Sequence, residues 1–267
     1  MPSADKRARQ KENTRAAREQ REAAAKRSKR NRSIITFAVV AALFVGLIVI
    51  LSVAGGGKKK DKAASSATTP STAPPTTAFA VPAGCDLTKP PRGSTEKYKA
   101  APPMTINTAK TYVAHVDTTC GTFDITLDAK DAPKTANSFV FLAQKKFYDG
   151  LKFHRLVPDF VIQGGDPAGD GTGGPGYELP TEPPKNGYKQ GSVAMANAGA
   201  GTTGSQFFVA VSDSGAKNLG GPPYAYSSLG TVTKGMDVVD KLMKFAPASD
   251  GPPTKPLYIK TVTISES

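Results

Sequence analysis

The chain has 267 residues and a formal net charge of +13, with two cysteines, two histidines and no tryptophan. Residues 1–33 hold twelve Lys/Arg against Asp5, Glu12, Glu19 and Glu22, and Lys58, Lys59, Lys60 and Lys62 follow around Asp61, so the excess charge belongs to one end. The nineteen basic and seventeen acidic residues left for 63–267 nearly balance, which argues against a basic functional surface there, and the scattered Cys and His argue against a zinc site.

The basic tail, residues 1–33, mixes Lys/Arg with Ala, Glu and Gln and places several Glu/Arg pairs at helical spacing. It has no interleaved aromatics and no recognisable reader fold, so it reads as a solvated cytoplasmic tail that touches anionic lipid. Ile34–Ala54 is an uncharged run of Ile, Val, Leu, Ala and Phe, long enough to cross a bilayer as a single transmembrane helix. A cleaved secretory signal is the rival reading, because Ser52-Val53-Ala54-Gly55 offers small residues at the exit, but the run is longer than a usual signal core. The heavier positive charge before the run puts the N-terminus in the cytoplasm and the rest of the chain outside a cell membrane.

Residues 55–103 form a Pro/Ser/Thr/Lys-rich linker and lead-in; from Gly55 to about Ala83 there is too little apolar surface to offset the cost of ordering, hence a disordered spacer, and residues 86–103 form an irregular lead-in. Cys85 and Cys120 both fall on the outer side. In an oxidising compartment they read first as a disulfide, worth roughly 3 to 4 kcal/mol in the chain-entropy model and stapling the lead-in to the first hairpin; two free thiols are the alternative. Pro82-Ala83-Gly84-Cys85 superficially resembles a lipoprotein cleavage site, but the polar spacer and Pro82 speak against lipidation.

The folded domain is expected over 104–267. Thr111–Val116 and Gly121–Leu127 read as strands joined by a turn around Asp117–Cys120. Pro133 opens a helix running to about Lys146, with Phe139, Val140, Leu142 and Ala143 on its apolar face. Further strands are expected at Phe160–Gln163, Ser192–Ala196, Gln206–Val211 and Leu257–Ile264, and a second helix at about Met236–Lys244 that buries Met236, Val239 and Leu242. The class is mainly β; pattern alone does not separate a sandwich from a barrel.

Two segments carry the chemistry. Phe153-His154-Arg155-Leu156-Val157-Pro158-Asp159-Phe160-Val161-Ile162-Gln163-Gly164-Gly165-Asp166 places a guanidinium, an imidazole, an amide and an aromatic ring in one short apolar run, and alternation sends Val161 and Gln163 to one face and Ile162 to the other. In the second, Met195–Val209, Gln206 and Phe208 share a face opposite the core-facing Phe207. Neither histidine has an evident nucleophile beside it, which argues against hydrolysis. His115, between Ala114 and Val116, reads as an ordinary strand residue, and Gly171–Gly176 as a tight rim loop, since it lacks the Lys and the strand-to-helix setting of a phosphate loop.

With Thr119–Phe123, Ala132–Phe139 and Phe147–Gly150, these segments resemble the signature of the cyclophilins, the peptidyl-prolyl cis-trans isomerases, from about Thr111 to the C-terminus. The whole arrangement resembles a bacterial membrane-anchored form. The resemblance implies a closed eight-stranded antiparallel β-barrel capped by two helices, needing no cofactor and acting as a monomer. It implies Arg155, His154 and Gln163 as catalytic residues, with Phe160, Val161, Ala196, Asn197, Gln206, Phe208, Leu219 and Tyr226 around the substrate. Arg155 would donate to the prolyl nitrogen of the twisted amide, Gln163 would hold the substrate carbonyl, and Asn197 would offer its backbone. The partners implied are proline-containing segments of secreted or envelope proteins; a proline-peptide binding module without catalysis is the competing reading. Three departures stand out. The family's pocket tryptophan is missing, so cyclosporin sensitivity is not implied; Tyr226 falls near the family's second histidine; and Val161 replaces a frequent methionine.

Overall fold

A computed structural model describes residues 81–220 and 225–267. The basic tail, the Ile34–Ala54 run and most of the linker lie outside the described residues. Among the described residues no helix is long and apolar enough to cross a membrane.

Among the described residues nine strands form one sheet: β1 (Tyr112–Thr118), β2 (Gly121–Leu127), β3 (Lys152–Phe153), β4 (Arg155–Val157), β5 (Val161–Gly164), β6 (Ser192–Met195), β7 (Phe207–Ala210), β8 (Ser227–Lys234) and β9 (Leu257–Glu266). Their order is β3-β9-β1-β2-β8-β6-β7-β5-β4. The two end strands are separated in the chain by His154 alone. Because β3 pairs with β9 and β4 with β5, the chain itself bridges the two ends and the sheet curls into a nearly closed barrel. The expected eight strands thus become nine, since the segment through His154 is broken into halves with different partners.

In β1, buried residues alternate with half-buried ones, as a sheet with one face on a core requires. His115 is an ordinary strand residue that bonds across to Asp124 Oδ1 at 2.8 Å and Ser265 Oγ at 2.9 Å. The strand runs on to Thr118, so the turn into β2 is tighter than expected. Helix α1 (Pro133–Gln144) begins at the proline and buries Phe139, Val140, Leu142 and Ala143. Its first-turn N–H groups are met from far away in sequence: Glu182 accepts from Lys134 N and Thr135 N, a carboxylate at the positive end of the helix. A short helix, α2 (Asp213–Asn218), and α3 (Met236–Met243) complete the list; α3 buries Val238, Val239 and Leu242, while Met236 is only partly covered.

Alternation on β5, β6 and β7 divides the apolar residues into two clusters. Ile162, Val193, Met195, Phe207 and Val209 enter the main core, where Phe139 stacks on Tyr148 at 4.7 Å and Phe207 meets both rings edge-on. Val161, Ala194, Phe208 and Ala210 point the other way, into a smaller cluster with Ala216 and Leu219. Cys85 is joined to Cys120 by a disulfide.

Candidate active site

Strand register sets the site out in a row. Arg155 on β4 pairs with Gln163 on β5, Gln163 with Phe208 on β7, and Phe208 with Ala194 on β6. Four neighbouring strands therefore bring a cation, an amide, an aromatic ring and a small residue side by side on the outer face.

A chain of polar contacts runs along this row. Arg155 donates from Nε to Asp250 Oδ1 at 2.8 Å and from Nη2 to Oδ2 at 2.7 Å, a two-pronged grip that fixes the guanidinium plane. Its Nη1 donates to Gln163 Oε1 at 3.1 Å, and Gln163 Nε2 donates to Gln206 Oε1 at 3.0 Å. Gln206 Nε2 then donates to the carbonyls of Gly171 and Gly173, each at 2.9 Å. The order of donors and acceptors sets both amide orientations. The Asp250 hydrogen bonds hold the Arg155 pKa above its ordinary value and the Asp250 carboxyl below its own. Both side chains are part-exposed, at 37% and 54%, so the pair contributes about 0–1 kcal/mol to stability and serves mainly to orient the cation. The guanidinium keeps further N–H donors for a substrate.

Beside the row lies the second cluster. Val161, Phe208 and Leu219 are buried in it, and Phe160, Ala196 and Tyr226 are partly buried against it. Tyr226 stands edge-on to Phe208 at 5.2 Å. The wall is shaped by tight contacts that the sequence did not announce. Helix α2 follows its N-cap Ser212, whose hydroxyl accepts from Gly215 N and donates to Asp159 O. A Cβ on Gly215 would lie 2.3 Å from Asp159 O, so the helix can sit against the Asp159–Phe160 turn only with glycine there. Tyr188 donates to Tyr226 O at 2.8 Å and accepts from Tyr226 N at 3.2 Å, holding that ring's backbone.

Next to the row, a groove of about 690 Å³ is lined by Gln163, Gln206, Ala196, Asn197, the Gly171–Gly176 loop and Lys97. Asn197 Nδ2 donates to Ala225 O and its Oδ1 accepts from Gly199 N, so its side chain is engaged and the main chain is what it offers a ligand. The glycine loop turns carbonyls, not N–H groups, towards Gln206, which is the wrong polarity for phosphate and suits a rim.

At His154 both ring nitrogens are buried without a hydrogen-bond partner, and burial lowers its pKa, so a neutral imidazole packs at the β3–β4 break. The residue that sequence reasoning missed is Asp250, in a Pro/Gly-rich loop far along the chain from Arg155; no local pattern connects them.

The family model for "Cyclophilin type peptidyl-prolyl cis-trans isomerase/CLD" matches residues 113–264. A peptidyl-prolyl cis-trans isomerase of Helicobacter pylori is 43% identical over 136 residues, covering 50% of this chain and 82% of that one. Peptidyl-prolyl cis-trans isomerase A of Mycobacterium tuberculosis is 38% identical over 174 residues, covering 58% and 93%. The crystal structure of a Cryptosporidium parvum cyclophilin type isomerase superposes with a TM-score of 0.52 at 26% identity over 59% of this chain and 99% of that one. The same protein is also described in the presence of the dipeptide Ala-Pro, where this chain matches at 27% identity and a TM-score of 0.52. The barrel, the row of Arg155, Gln163 and Phe208, and the extent of these matches lead to one conclusion: the chain belongs to the cyclophilin-type peptidyl-prolyl cis-trans isomerases.

Proposed function

We propose that this isomerase acts on X-Pro bonds of secreted or envelope proteins from the outer side of a membrane, anchored by Ile34–Ala54, and that Arg155 drives the reaction without covalent chemistry. Rotation about a peptide bond meets a barrier of about 18–20 kcal/mol, and X-Pro bonds left alone take tens to hundreds of seconds. The barrier is amide resonance. When the bond twists, the prolyl nitrogen becomes pyramidal and regains a lone pair, which can accept from a guanidinium N–H; the planar ground state offers no such acceptor. An interaction made only in the twisted state lowers the barrier instead of deepening the ground state.

The observation that carries this reading is the fixed guanidinium, gripped by Asp250 on one side and Gln163 on the other, beside a small apolar cluster. Val161, Phe208 and Leu219 suit a proline ring, which would cover apolar surface worth about 25 cal/mol per Å². The Ala-Pro dipeptide named for the Cryptosporidium relative fits the same assignment. His154 contributes shape.

Exchange spectroscopy on a proline peptide tests the activity: the purified chain should interconvert the conformers well faster than the spontaneous rate, and the spontaneous rate would contradict it. Protease added to intact cells tests the topology. Loss of the isomerase domain with the first thirty or so residues protected is expected; degradation confined to those residues would overturn it.

A further inference from the structure

The family match begins at Val113, yet the chain before it is bound to the barrel all the way to the groove. After the Cys85–Cys120 disulfide, Asp86 N donates to Thr119 O at 2.7 Å. Arg92 Nη1 then donates to the carbonyls of Phe147 and Asp149, each at 2.8 Å, and Ser94 N donates to Lys146 O at 2.9 Å. Tyr98 packs edge-on against Phe141 of α1 at 5.0 Å. Its N–H donates to Pro175 O at 2.8 Å, and its carbonyl lies so near Gly176 that a Cβ there would stand 2.5 Å away. Pro175 and Gly176 belong to the rim loop whose other end bonds Gln206. The strap therefore reaches the active-site groove, and Lys97, next to the anchored Tyr98, lines it.

We infer that the strap of residues 91–98 brings Lys97 to the substrate groove as a specificity-determining residue, favouring peptides with a carboxylate side chain near the proline. This rests on the isomerase reading and adds a preference to it. Among the described residues no carboxylate lies within ion-pair distance of Lys97, so its charge is free to meet a ligand. Glu178 lines the same groove without pairing with Lys97, which gives the groove an acidic counterpart of opposite preference. Lys97 is exposed, so its effect is that of a screened charge: about two- to fivefold for a single pair, fading at high salt.

The test uses the full chain and peptides in which the two positions on each side of the proline are set in turn to Glu, Gln or Lys. At the position Lys97 reaches, Lys97→Glu should move the Glu-to-Lys ratio of kcat/KM about fivefold or more towards Lys, carried by KM, and Lys97→Met by a smaller factor. Glu178→Gln should move the ratio the other way, and molar salt should shrink both shifts. An active parent whose ratios stay put in Lys97→Glu at every position would overturn this inference alone. A parent inert towards every peptide would overturn the isomerase reading and this inference with it.

Discussion

Strands β5, β6 and β7 serve two regions that are built from alternate residues of the same chain and yet differ in kind. Facing inward, Ile162, Val193, Met195, Phe207 and Val209 join a sealed core of aromatic and aliphatic rings. Facing outward, Val161, Ala194, Phe208 and Ala210 make a small apolar floor that ends at Gln163, Gln206 and Arg155. The inner face joins the large core; the outer face makes a smaller cluster, with the Tyr226 ring edge-on to Phe208 and polar side chains along one edge. One period-two pattern thus sends alternate residues of the same strands into two separate clusters.

The sharpest way to break this comparison is to truncate neighbouring rings. Phe207→Ala should cost about 3–5 kcal/mol of stability, because a closed core cannot collapse around the void, and denaturant unfolding will show it. Phe208→Ala should cost less stability, since its buried cluster is smaller, and should also raise KM for proline peptides. Equal stability losses in the two would mean that the outer cluster is simply more core.

Next comes the orientation of the cation. Asp250→Ala removes the two-pronged grip on Arg155, and should lower kcat several-fold with little change in KM or melting temperature. If KM changes and kcat does not, Asp250 acts on the peptide and not through Arg155.

The smallest effect is set by His154. Its folded pKa lies below the ordinary value of 6.5 because of burial. Above pH 6.5 both folded and unfolded imidazoles are neutral; as pH falls through 6.5 the unfolded state takes up a proton that the folded state refuses, and stability drops until the folded pKa is reached. His154→Asn should flatten that part of the stability profile, read as melting temperature against pH. An unchanged slope would assign it to other groups.

How far the sequence discloses this molecule depends on whether a feature is local. The alternation at Phe160–Gln163 and Gln206–Phe208, and the proline that opens α1, are local and read correctly. Strand β8 was missed because Ser227, Ser228 and Gly230 show no apolar alternation; pairing with β2 and β6 buries them. Helix α2 is six residues with a glycine inside, too short for a periodic signal. The break at His154 depends on two partner strands distant in sequence, and so does the burial of its ring nitrogens. Arg155 itself was legible, but its partner was not. Asp250 lies 95 residues further on, and the backbone bridge between Leu156 and Gly251 brings the two together.

The central claim is that Arg155 favours the twisted amide over the planar one, and it is tested most directly by measuring peptide affinity and on-enzyme cis-trans exchange together, in the parent and in Arg155→Ala. The account predicts that the variant folds, binds the proline peptide within a few-fold of the parent, and exchanges its conformers roughly tenfold or more slowly. Parent-like exchange in the folded, peptide-saturated variant would contradict it.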